Sequence, residues 1–183
     1  MMKLSEKQAG MTLLEMMVTL TVIAIVLVIA GPSFVTYKKD NRRTAYLNEL
    51  VSSLNLARSE AAKSNRAVAF CPSSDGVNCA GDNYDAGWIV FRNNNGDQPP
   101  AVDGGEPVLR AHEASLPPGT SLRATAGLAT GINFLASGRP SAFGDITYCD
   151  DRGENQARSV VVNLVGVITT SDKHADGSAL SCP

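Results

Sequence analysis

The chain has 183 residues, 44% of them hydrophobic and 19% charged, and a net charge of −2, enough for one compact domain besides any apolar terminus. The charge is unevenly spread: residues 31–66 hold seven basic and three acidic side chains, residues 67–183 seven and thirteen. The acidic C-terminal part is therefore no general phosphate-binding surface.

Residues 1–10 (MMKLSEKQAG) are short and polar and include Lys3 and Lys7. Residues 11–30 carry a single charge, Glu15. As a helix they would span about 30 Å, the thickness of a bilayer core, and they have no polar face to lie flat on a membrane. A secretory signal shares the charged start and apolar run. Here the run is too long, holds a glutamate near its start, and is followed by no A-x-A site. A carboxylate inside such a helix costs roughly 2.5–3.5 kcal/mol at the bilayer centre and less near its edge. From about one turn inside the membrane, Glu15 can snorkel to the headgroups.

Gly31-Pro32 is the expected kink, because proline lacks the amide and clashes with the preceding turn. Past it come Lys38, Lys39, Arg42 and Arg43. By the positive-inside rule alone these outweigh Lys3 and Lys7 and would put the C-terminal part in the cytoplasm. Leu47, Leu50, Val51, Leu54, Ala57 and Ala61 then recur at helical spacing, with Glu49, Ser53, Glu60 and Lys63 off the stripe. Residues 11–64 thus read as one long helix, apolar all round and then amphipathic.

From residue 67, turn residues separate β-prone runs at 67–71, 88–92, 108–111, 121–125, 132–135, 146–149 and 159–169, the last with a possible break at Gly166. Residues 93–97 and 116–119 are loops. The fold class is α+β. The expected division is a polar segment at 1–10, an apolar half-helix of membrane-spanning length at 11–31, an amphipathic half at 32–64, and a β region at 65–183.

The four cysteines, Cys71, Cys79, Cys149 and Cys182, form no CxxC, and His112 and His174 have no ligand spacing to them, so no metal site is expected. An even count beside an export-type segment suits two disulfides in an oxidising compartment. Neither histidine has a nucleophile or carboxylate at a motif spacing. Asp145, Asp150 and Asp151 lack the calcium-loop pattern and read as solvated loops. No phosphate loop is present. Neither enzyme activity nor a cofactor is expected, and Trp88 reads as a core aromatic.

Gly10 followed by Met11-Thr12-Leu13-Leu14-Glu15 resembles the prepilin peptidase site of type IV pilins and type II secretion pseudopilins, with methionine where phenylalanine is usual. The resemblance implies a leader at 1–10 cleaved after Gly10, N-methylation of Met11, and a transmembrane or filament-core role for 11–31. It also implies a role for Glu15 in assembly, against a neighbour's terminal amine, and a helix kink at Gly31-Pro32. In the C-terminal part, Ala69-Phe70-Cys71-Pro72-Ser73-Ser74-Asp75-Gly76 with Cys79, Gly87-Trp88-Ile89-Val90-Phe91, and Pro107-Val108-Leu109-Arg110 resemble the FimT/FimU/GspH group, most like FimU. Phe134 with Ser137-Gly138-Arg139-Pro140 extends that likeness.

The group implies a type IV pilin-like fold, a long N-terminal helix packed on a small antiparallel β head. It implies a minor pilin that primes assembly or sits near the tip. Its partners would be other major and minor pilins through the helix, prepilin peptidase, and the inner membrane, with the head in the periplasm before assembly. The disulfides expected are Cys71–Cys79, around Asp75-Gly76, and Cys149–Cys182, tying back the tail. The alternatives are a GspH-type pseudopilin of type II secretion and a FimT-type DNA receptor. Where DNA-binding members resemble G-R-x-R, this chain reads Leu164-Val165-Gly166-Val167-Ile168-Thr169, with the glycine and neither arginine, so DNA is not an expected partner.

Overall fold

The computed structural model describes residues 10–114 and 116–182, with only the backbone of Pro32; the expected leader, apart from Gly10, lies outside them. One helix, α1 (Leu13–Ser64), precedes eight strands: β1 (Val68–Pro72), β2 (Gly87–Arg92), β3 (Val108–Glu113), β4 (Ser121–Ala124), β5 (Ile132–Phe134), β6 (Gly144–Cys149), β7 (Arg158–Val162) and β8 (Ile168–Ser171). The chain forms two compact units, Met1–Arg42 and Arg43–Pro183, each described by itself below.

In the second unit α1 ends because Asn65 adopts a left-handed conformation (φ 53°). The Arg66 amide then donates back to the Ala61 carbonyl at 3.3 Å, capping an otherwise orphaned acceptor. The strands form two antiparallel sheets, β3-β2-β1-β5 and β4-β6-β7-β8. Both sheets share one core with the helix. Leu47, Leu50, Leu54, Ala57 and Ala61 pack with Val68, Phe70, Trp88, Val90, Ile132 and Phe134 of the first sheet and Leu122, Ile146, Tyr148, Val160 and Val162 of the second. Strand alternation explains the other face: Ala69, Cys71, Ile89 and Phe91 point away from the helix into a second cluster closed by Cys79, Val102 and Val108. Within the first sheet, β1 and β2 are thus buried on both faces, while the edge strand β3 is only partly covered.

Two expectations need correction, and the possible break at Gly166 is found. Ser53 is fully buried, not off the stripe, because it lies three residues from Leu50 and four from Ala57 on the same helical face. The 159–169 run is two strands. Asn163 turns the chain by accepting the amides of Val165 (3.1 Å) and Val167 (2.8 Å) through its side-chain oxygen. Gly166 completes the turn at φ 80°, where an added Cβ would stand 2.3 Å from the Gly138 carbonyl oxygen. Asp145, read as a solvated loop residue, is fully buried in β6. It is satisfied by the Thr147 hydroxyl (3.0 Å), the Ala175 amide (3.0 Å) and His174 Nδ1 (3.0 Å). Asp150 is engaged as well, its carboxylate 2.7 Å from Arg152.

Candidate functional site: processing segment, apolar helix and head

Gly10 and Met11 are exposed and lie outside the helix, an accessible stretch of backbone. Thr12 caps α1: its hydroxyl oxygen accepts the Glu15 amide at 3.2 Å, and its carbonyl accepts the Met16 amide at 3.2 Å. Glu15 is the acidic residue of the first turn, where its charge suits the exposed amides of the helix start. A threonine followed three residues later by a glutamate, before an apolar run, is the sequence signature of such a cap, and only the carboxylate of that pair is weighed above.

Beyond Glu15 the helix is apolar on its whole circumference, with side chains from Leu13 to Val35 more than half exposed where they are large and hydrophobic. Its most hydrophobic 18-residue stretch has a mean hydropathy of 2.7 and no burial within the chain. Two threonine hydroxyls inside it are satisfied locally. The Thr19 hydroxyl donates to Met16 O at 2.9 Å, and the Thr21 hydroxyl to Val18 O at 2.8 Å. Neither threonine therefore presents an unpaired donor to a non-aqueous surrounding. The helix is assigned without a break through Gly31 and Pro32.

In the head, Trp88 is fully buried, its indole N–H donating to Ser53 Oγ at 3.0 Å. His112 stacks on it with ring centroids 4.1 Å apart. Burial pulls the imidazole below its ordinary value; Glu49 opposes that shift and Arg110 adds to it. Disulfides join Cys71 to Cys79 and Cys149 to Cys182. The first closes a loop organised by Asp75, whose carboxylate accepts the Asn78 backbone amide (2.8 Å), the Asn78 side-chain amide (2.9 Å) and the Val77 amide (2.8 Å). These donors hold its carboxyl well below the usual carboxylate range. The second disulfide packs with Ala157 and Leu180.

The turn at 163–167 exposes Leu164, Val165 and Val167 and contains no cation. Asp145 and His174 border a cavity of about 650 Å³ with Phe143 and Leu164, but the short hydrogen bonds in it are internal. Among the described residues no group of histidine, cysteine and acidic side chains could hold a metal.

A family model described as Type II transport protein GspH matches residues 47–166, most of the head and the helix that packs on it. The chain belongs to that family. A second model, the Prokaryotic N-terminal methylation motif, matches residues 6–31 of this GspH-family chain. No curated protein matches it. Two crystal forms of the type IV minor pilin FimU from Pseudomonas aeruginosa (strain PAO1) share its fold. The P21 form has a TM-score of 0.56 at 18% identity, over 74% of this chain and 92% of that one. The P65 form gives 0.53 at 17%, over 70% and 91%. The fold is that of the type IV minor pilin FimU, and the GspH family together with the N-terminal methylation motif makes the chain pilin-like. Its N-terminal motif and apolar helix mark it for membrane anchoring and assembly with other pilins.

Proposed function

We propose that this chain is a minor type IV pilin, a low-copy subunit that primes assembly or sits near the filament tip. Peptidase cuts after Gly10, Met11 becomes a methylated amine, and the apolar half of α1 waits in the inner membrane with the head in the periplasm. The helix then leaves lipid for a filament core of like helices, the register set by Glu15 against a neighbour's terminal ammonium, with a bend at Gly31-Pro32. The observation that carries this is the unburied apolar surface of α1, most of it within the residues that match a methylation motif. A GspH-type pseudopilin of type II secretion is the second reading, favoured by the family description. The DNA-receptor reading finds no support in the cation-free turn at 163–167. The function proposed is structural, in keeping with the pilin-like family.

The test compares Glu15→Ala and Glu15→Gln with the parent in membranes and in sheared filaments. Glutamine keeps the polar side chain of the first turn and loses the charge. Breaking one side of a buried ion pair costs about 3–5 kcal/mol, so both variants should insert normally, be trimmed to Met11 by mass, and be depleted from filaments. A start other than Met11 in the parent would refute the processing step. A filament share for Glu15→Gln equal to the parent's would refute charge pairing.

A further inference from the structure

Assembly through apolar packing makes no use of the cations just beyond the apolar helix, and the positive-inside rule makes them anomalous where they stand. In the first unit, Phe34 and Tyr37 are 62% and 63% exposed, and Lys38 and Arg42 are exposed as well. Phe34, Lys38 and Arg42 are spaced four apart, so they line one strip of the helix surface, a turn between each. At the α-helical rise, Phe34 lies about 32 Å along the helix from Leu13, Lys38 about 38 Å and Arg42 about 44 Å. The hydrocarbon core of a bilayer is about 30 Å thick, and about 40–45 Å with its headgroups. A span that begins at Leu13 therefore brings the two aromatic rings to the interface, where such rings settle. The two cations then stand among the headgroups. Lys38 and Arg42 make no hydrogen bond or ion pair among the described residues, whereas Lys39 is engaged and Arg43 donates to the Gln156 carbonyl at 2.7 Å.

We infer that Lys38 and Arg42, above Phe34 and Tyr37, bind the phosphate of anionic phospholipids in the leaflet that faces the head. The inference rests on the membrane-anchored reading above. Guanidinium supplies a planar fork for two phosphate oxygens, and the lysine ammonium a point charge beside it. A free phosphate ion would meet the same two groups but not the aromatic rings beneath them, which suit the glycerol and upper acyl chain of a lipid. The contact would fix the depth of the span, which a uniformly apolar run leaves open. Each cation near an anionic surface favours association by about fivefold, and salt weakens the effect.

The full chain is reconstituted into phosphatidylcholine vesicles, with and without phosphatidylglycerol, and probed by electron spin resonance with spin-labelled forms of each lipid. The motionally restricted fraction gives the relative association of the two lipids with the span. The expected result is a severalfold preference for phosphatidylglycerol at low salt that fades at high salt. Lys38→Gln with Arg42→Gln should bring the preference close to parity while phosphatidylcholine is still restricted. Parity in the parent, or a preference undiminished in the double variant, would overturn the proposal. Inorganic phosphate should act no differently from chloride at equal ionic strength; selective loss of the preference in phosphate would make this an ion site and overturn the lipid assignment. No restricted component with either probe would overturn the spanning reading itself, and the proposal with it.

Discussion

Ser53 shows how a hydroxyl can belong to a core. It sits on the buried face of α1 and accepts the indole N–H of Trp88 at 3.0 Å, so both polar atoms enter the interior already paired. Removing the acceptor strands a buried donor, which costs about 1–3 kcal/mol. Ser53→Ala should therefore lower the unfolding midpoint of the detergent-solubilised chain. Ser52→Ala, which loses an exposed partner of Arg110, should have little effect. Trp88 is the sole tryptophan, so its fluorescence reports the head directly; equal midpoints for the two variants would refute the account. A hydrophobicity pattern scores a serine by type, which puts Ser53 outside the stripe. Asp145 escaped for the same reason. Its three partners include His174 and Ala175, some thirty positions away, a proximity that only the fold creates.

Secondary elements were the most legible level. The 3–4 residue spacing of Leu47, Leu50, Leu54, Ala57 and Ala61 marks the face that the structure buries, since periodicity is the direct imprint of one-sided burial. Strand positions followed from turn residues. Gly166 marked the possible break in the 159–169 run; what the run did not show is the part played by Asn163, whose side chain mimics a backbone acceptor among β-branched residues. Covalent links belong to this scale too. Cys71–Cys79 closes a separation of 8 residues and Cys149–Cys182 one of 33. In the chain-entropy model these constrain the unfolded state by about 2.5 and about 4 kcal/mol. Replacing Cys149 and Cys182 together by alanine should cost the head more stability than replacing Cys71 and Cys79 together. Denaturant unfolding decides the order, and non-reducing peptide mapping checks the pairs. A larger loss from the shorter loop would show that packing of Cys71 in its buried cluster outweighs loop entropy.

For the molecule as a whole, the head should respond to acid in two stages. His112 titrates below its ordinary 6.5 in the folded head, so the folded state binds fewer protons than the unfolded one there. Stability is then complete above 6.5 and falls as pH drops through that value toward the lower folded one. Its buried Nε2 has no partner among the described residues, so protonation would add a buried donor. Asp75 also titrates low, from 3.8, and its contribution is lost only as pH falls below that point. Unfolding midpoints measured against pH should show both steps, and His112→Phe, which keeps a ring against Trp88, should remove the upper one. A variant profile that still declines through the upper step would assign it to another group.

The Cys149–Cys182 bond also has a mechanical meaning. It joins β6 to the segment beyond β8, and β7, β8 and the apolar turn at 163–167 lie inside the loop it closes. Tension applied at Cys182 passes through sulfur into β6, within the second sheet, and leaves the β7-β8 hairpin outside the load path. A subunit pulled by whatever grips its C-terminal segment would therefore keep that exposed turn in place until the sheet itself gave way. Reduction would reroute the same force through β8, which as an edge strand can be peeled from β7 one hydrogen bond at a time.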